Sequence, residues 1–116
     1  MRVAINGFGR IGRAVFRILE SRPDIDVVAI NDLFDPNALR YLLNYDTVMG
    51  PFGAAVEVAD GALCTPNTRA KLLAEPSPLS LPWAELAIDI VVEATGIFRH
   101  REQLEAHLLA GAKRVV

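Results

Sequence analysis

Four apolar runs in this chain lack the polar alternation of a half-exposed strand. Val3-Ala4-Ile5, Val27-Val28-Ala29-Ile30, Ile90-Val91-Val92 and Val115-Val116 are apolar throughout. Strands of this kind need cover on both faces, as in a parallel sheet sandwiched by helices. Helical patterns stand between them, so the chain reads as α/β with a doubly wound, mostly parallel sheet.

Between the first two runs, from Arg10 to Arg22, residues Ile11, Val15, Ile18 and Leu19 recur at helical spacing. Arg13, Arg17 and Glu20 fall mostly elsewhere on the wheel, and Pro23-Asp24 stops the helix. A second helix is expected from Pro36 to Tyr45, with Asp35 as N-cap, Pro36 as its first residue and Leu39, Leu42 and Leu43 as its stripe. The stretch from Gly50 to Pro82 holds five of the seven prolines and breaks the rhythm. Within it, Asp60-Gly61 is a hairpin turn signal, flanked by Val56-Glu57-Val58 and Leu63-Cys64. Arg69 to Leu73 supplies another short strand. About residues 50–82 are therefore expected to form a small antiparallel excursion off the main sheet. The rhythm resumes with a strand at Asp89 to Glu93, a helix at Arg101 to Ala110 and a strand beginning at Lys113. The closing Val-Val lies inside that strand, which leads us to expect a truncated domain.

The segment that carries most chemistry is Ile5-Asn6-Gly7-Phe8-Gly9-Arg10-Ile11-Gly12, a G-x-G-x-x-G at Gly7, Gly9 and Gly12. Three glycines alone say little. Here a strand precedes them, an amphipathic helix follows, a second strand ends at Ile30, and Asp32 lies 20 positions after Gly12. Gly7 turns the chain off the strand, Gly9 lets the backbone approach a pyrophosphate, and Gly12 lets the helix pack closely. The helix N-terminus offers unpaired N–H groups and a partial positive charge to the diphosphate. Asp32 then accepts from the adenosine ribose hydroxyls and repels a 2′-phosphate. Two unit charges about 4 Å apart cost about 4 kcal/mol at an effective dielectric near 20, so NAD is favoured over NADP more than tenfold even with half of that screened. A second segment, Val91-Val92-Glu93-Ala94-Thr95-Gly96, is a buried strand running into a glycine turn. Thr95 and Gly96 there reach the crevice beyond the strand ends, where a flat nicotinamide ribose fits.

Composition narrows the alternatives. The 116 residues suit a single domain or a piece of one. Hydrophobic residues make up 52%, which excludes a disordered chain. A net charge of −2 leaves no basic excess for nucleic acid or an anionic membrane. The apolar runs are too short to span a bilayer, and the opening residues read as a strand, so no signal peptide is expected. Cys64, the single cysteine, forms no internal disulfide and anchors no metal cluster; it reads as a small apolar filler. The setting expected is cytoplasmic.

Taken together these residues resemble glyceraldehyde-3-phosphate dehydrogenase. Ile5 to Arg13, Ala29-Ile30-Asn31-Asp32-Leu33, Tyr45-Asp46-Thr47, Glu93-Ala94-Thr95-Gly96-Ile97-Phe98 and Ala110 to Val116 follow in that family's order. The resemblance spans the whole chain. It implies a Rossmann-type NAD-binding domain, residues 1–116, of a two-domain, usually homotetrameric enzyme of glycolysis, with the catalytic domain absent. It further implies phosphorylating oxidation of an aldehyde: a cysteine thiolate attacks, hydride passes to NAD, and inorganic phosphate displaces the thioester. By the glycine pattern and the resemblance together, the cofactor is held by Gly7, Phe8, Gly9, Arg10, Ile11, Gly12, Asn31, Asp32, Leu33, Thr95, Gly96 and Phe98.

The chain also departs from that pattern. The nucleophile segment and the histidine base are not in it; Cys64, His100 and His107 match neither, so no catalytic residue is assigned. His100 stands where the family often has a threonine or serine cap, and Pro76 where an arginine often faces the adenine side. Leu81-Pro82-Trp83-Ala84-Glu85-Leu86, Arg101-Glu102 and Glu105-Ala106-His107 are similar to erythrose-4-phosphate dehydrogenase, the nearest alternative. A non-catalytic dinucleotide-binding module and a dehydrogenase of amino-acid metabolism are the others. Lacking its remaining strands, the isolated chain is expected to be inactive and to aggregate through its apolar edge.

Overall fold

The computed structural model describes residues 1–33, 57–95 and 101–116. In chain order its elements are β1 (Arg2–Asn6), α1 (Arg10–Glu20), β2 (Asp26–Asn31), β3 (Glu57–Ala59), β4 (Ala62–Cys64), β5 (Arg69–Leu73), a 3₁₀ turn (Pro78–Ser80), β6 (Ile90–Glu93), α2 (Arg101–Leu109) and β7 (Arg114–Val115). The expected helix from Pro36 to Tyr45, Tyr45-Asp46-Thr47, Val56, and Gly96, Ile97, Phe98 and His100 lie outside the described residues.

The strands form a single seven-stranded sheet in the order β3-β4-β5-β2-β1-β6-β7. β5, β2, β1, β6 and β7 run parallel, and β3 and β4 are antiparallel. The runs in β1 and β2 are largely buried between layers and that in β6 partly so, whereas the Val115-Val116 run is not: Val116 is 75% exposed at the sheet edge. The hairpin turns through Asp60 and Gly61, with φ of 52° and 73°, the mirror-image turn that suits strand twist. The small antiparallel part expected around 50–82 is present, among the described residues, as β3 and β4 beside β5, and it belongs to the same sheet. β5 pairs with β2 in parallel, Ala29 to Lys71 and Asn31 to Leu73, so the hairpin extends the sheet at its edge. Composition marked this stretch as different, but not which strand it would pair with.

Two apolar clusters fill the two faces. Ile5, Phe8, Phe16, Val27, Ile30, Leu63 and Ala70 pack under α1, with Phe8 and Phe16 edge to face. Ala4, Ala29, Leu81, Trp83, Ile88, Val91 and Ala112 pack on the opposite face. The stripe of α1 also differs from expectation. Gly12 and Phe16 are buried and Val15 and Leu19 join the core, whereas Ile11 and Ile18 stand 67% and 58% exposed. At about 100° per residue, positions 12, 15, 16 and 19 share one face and positions 11 and 18 flank it. Cys64 is half-buried on β4, its Sγ 3.6 Å from the Arg69 guanidinium, so the filler role is corrected as well.

Two tight turns lock the second face together. Ala87 N–H reaches Ala84 C=O and Ile88 N–H reaches Trp83 C=O; Gly111 N–H reaches Leu108 C=O and Ala112 N–H reaches His107 C=O. Both are Schellman closures, with Ala87 (φ 53°) and Gly111 (φ 117°) in the left-handed position. Ala84 N–H donates to Ala110 C=O at 3.0 Å and joins the two turns. No helix among the described residues is long and apolar enough to cross a membrane.

Candidate functional site

Register sets up the site. The last residues of β5, β2, β1 and β6 align in one row: Leu73 with Asn31, Asn31 with Asn6, and Asn6 with Glu93. Beyond that carboxyl edge lies a cleft of about 430 Å³ lined by Asn6, Gly7, Gly9, Asn31, Asp32, Leu33, Glu75, Pro76, Ala94 and Thr95. This is where ligands bind in an open α/β sheet.

The glycine loop is built as its spacing demands. Gly7 has φ 98°, and a Cβ on it would meet Thr95 N at 2.6 Å. A Cβ on Gly12 would collide with the Gly7 carbonyl oxygen. Gly9 is different: among the described residues beyond its chain neighbours, no atom lies within 4 Å of its Cβ position. Gly9 is also the N-cap of α1, so no side chain caps the helix; its C=O takes the first intrahelical bond, from Arg13 N–H at 2.9 Å. The first N–H groups of a helix have no partner inside it. A bare, uncapped N-terminus with room over Gly9 fits a diphosphate.

Asp32 follows β2 and accepts the Phe8 N–H at 2.6 Å through Oδ2. The acid thus grips the glycine loop as well as facing the cleft. Among the expected residues, Gly7, Gly9, Asn31, Asp32, Leu33 and Thr95 do line this cleft. Arg10 and Ile11 open α1 beside it. Phe8 and Gly12 are buried, and Phe8 can offer a ligand only main-chain atoms. Gly96 and Phe98 lie outside the described residues. Asn31 is a strut: its Nδ2 donates to Asn6 Oδ1 at 2.7 Å and to Glu75 C=O at 3.0 Å, and its Oδ1 accepts Glu75 N–H at 2.9 Å.

Behind the cleft lies a polar network that sequence reasoning missed. Glu93 Oε1 accepts from Asn6 Nδ2 at 2.6 Å and faces His107 Nε2 at 2.7 Å; Oε2 accepts from Thr95 N–H at 3.1 Å and from Thr95 Oγ1 at 2.7 Å. Trp83 Nε1 donates to His107 Nδ1 at 3.0 Å. An indole N–H is only a donor, so Nδ1 is the bare nitrogen and the ring proton sits on Nε2, pointing at Glu93. Asn6 Nδ2 and His107 Nε2, 3.4 Å apart, are then two donors converging on one oxygen. Burial pushes the Glu93 carboxyl up, but hydrogen bonds from His107, Asn6 and Thr95 outweigh it and hold it below the usual glutamate range. The signal in the sequence was a set of polar residues, Asn6 and Glu93, ending apolar strands. Among the described residues no group of acids, histidines and cysteines can hold a metal.

Comparison with known proteins agrees with this geometry. The family model "Glyceraldehyde 3-phosphate dehydrogenase, NAD binding domain" matches residues 1–101. Glyceraldehyde-3-phosphate dehydrogenase of Thermotoga maritima is 54% identical over 99% of this chain, and that of Salmonella typhimurium 49% over 100%. Glyceraldehyde-3-phosphate dehydrogenase A of Escherichia coli is 48% identical over 100% of the chain. The chain spans 35% of the length of each of these relatives. The nucleotide named for the matching family domain is NAD. The chain, with this cradle at its strand ends, belongs to the glyceraldehyde-3-phosphate dehydrogenase family, in the part that forms the NAD-binding domain.

Proposed function

We propose that residues 1–116 are the NAD-binding domain of a phosphorylating dehydrogenase that oxidises glyceraldehyde 3-phosphate. The observation that carries this reading is the pairing of an uncapped α1 N-terminus over open space at Gly9 with Asp32 at the end of β2. The N–H groups of Arg10 and Ile11 hold the diphosphate. Asp32 takes the adenosine ribose hydroxyls while keeping the loop in place through Phe8. Leu33 and Pro76 flank the adenine side. Thr95, with Gly96 and Phe98, receives the nicotinamide end. When bound, NAD supplies the hydride acceptor.

This chain positions the coenzyme and contributes no catalytic residue; nucleophile, base and the pockets for substrate phosphate and inorganic phosphate belong to the rest of the enzyme. The working protein is a cytoplasmic homo-oligomer. The family membership and the names of the relatives support the coenzyme and the dehydrogenase activity in this reading.

Calorimetry with NAD and NADP tests the reading. The native enzyme that carries this chain is expected to prefer NAD more than tenfold, from the charge repulsion at Asp32. Asp32→Ala is expected to erase most of that preference. An unchanged preference overturns the role of Asp32. Assay of the native enzyme with glyceraldehyde 3-phosphate and phosphate, against erythrose 4-phosphate, decides the substrate; a clear preference for the latter overturns that assignment.

A further inference from the structure

We propose that Glu93 is a positioning residue for the nucleotide cleft: its carboxylate sets the direction of a hydrogen-bond relay that fixes both cleft walls. The inference rests on the NAD-binding reading above. A carboxylate only accepts, and Glu93 takes four hydrogen bonds, two on each oxygen. One pair, from Thr95 N–H and O–H, pins the wall that follows β6. The other pair reaches across the sheet. Because Oε1 accepts, Asn6 must turn its Nδ2 toward Glu93 and its Oδ1 toward Asn31. Asn31 must then present Nδ2 to Asn6, which leaves its Oδ1 for Glu75 N–H while Nδ2 also holds Glu75 C=O. Glu75 and Pro76 form the opposite wall.

Reversing either amide places oxygen against oxygen at one end of the relay. One buried charge therefore orders two walls lying on different strands. His107 supports it from behind. Its Nε2–H is committed to Glu93 because Trp83 occupies Nδ1. Glu93 itself is absent from the cleft lining, so its effect on a nucleotide passes through Thr95, Asn6 and Asn31.

The test is a charge-relocation rescue read by NAD calorimetry, with circular dichroism and Trp83 fluorescence reporting the fold. Glu93→Gln offers a donor where donors already converge, and is expected to weaken NAD at least tenfold. Asn6→Asp sets two carboxylates against each other and is expected to weaken it similarly. In the double variant, the amide introduced on β6 can keep its oxygen toward Thr95 and donate to the carboxylate introduced on β1. That carboxylate in turn accepts from Asn31 and from His107, so affinity is expected to recover at least threefold over Glu93→Gln. Multiplied losses in the double variant overturn the relay. A second readout stands if Glu93→Gln does not fold: in Asn6→Ala the Glu75 amide proton, which Asn6 does not touch, is expected to exchange at least tenfold faster. Unchanged exchange overturns the inference. A native enzyme carrying wild-type Glu93 that ignores NAD overturns both readings, whereas NAD binding indifferent to Glu93→Gln overturns this one alone.

Discussion

His107 and Trp83 share a hydrogen bond of 3.0 Å between two side chains that are wholly shielded from solvent. They sit 24 residues apart, on α2 and on the turn before β6, and the joined Schellman closures bring them together. Trp83→Phe removes the donor, leaves Nδ1 bare in a dry site and opens a void. The expected cost is about 3 kcal/mol, from one unsatisfied buried acceptor plus lost packing. Because Trp83 is the single tryptophan, urea unfolding followed by far-ultraviolet circular dichroism is the measurement.

Acid should weaken the fold through Glu93. Its carboxyl is held below its ordinary value of 4.5 in the folded chain. That contribution is present in full above the unfolded value and is lost as pH falls through the lower folded one. Asp89, lowered by the Arg2 N–H and then by Lys113, acts in the same direction. Melting temperature recorded from pH 7 down to 3 is expected to drop below about pH 4.5, the glutamate reference range. Glu93→Gln is expected to start lower and to show a shallower fall. An equally steep fall in the variant would contradict the assignment.

Ala87 and Gly111 occupy the same left-handed position in two similar closures, and only one of them is a glycine. Ala87→Gly should therefore stabilise the chain by about 0.5 kcal/mol, relief of left-handed strain less the added freedom of the unfolded glycine. Gly111→Ala should destabilise it by about 3 kcal/mol, since the new methyl also runs into Ala84. Thermal melts of the pair test both signs.

The loop glycines separate folding from binding. Gly9→Ala meets open space at an ordinary φ of −78° but puts a poor residue at the N-cap, so stability should fall by no more than about 1 kcal/mol. The methyl nevertheless stands where a diphosphate must approach, and NAD affinity is expected to fall more than tenfold. Gly12→Ala should lower both, because α1 must lift off the Gly7 carbonyl. Paired melting and calorimetry resolve the two cases; normal NAD affinity in Gly9→Ala would count against the cradle.

Local pattern carried much of the described fold. Unalternating apolar runs identified β1, β2 and β6, helical spacing identified α1, the alternation of helix and strand suggested α2, and Asp60-Gly61 located the hairpin. Partner choice was not local. Nothing in Arg69 to Leu73 says that it lies beside β2, and Ile11 and Ile18 look as apolar as Val15 and Leu19 until the sheet decides which side is covered. For the site, the glycine spacing and Asp32 were readable because each acts within one strand-turn-helix unit. The contact between Asn6 and Glu93 spans 87 residues and exists only because parallel register brings two strand ends level.

The Asn31 side chain holds residue 75 by that residue's main-chain atoms alone. This grip behaves like one extra rung of ladder added by a side chain, indifferent to what residue 75 carries. Side chains at 75 and 76 can be exchanged while the backbone holding them stays where it is. The cleft rim at residues 75 and 76 is in that sense a socket, whose fittings can be swapped without rebuilding the frame.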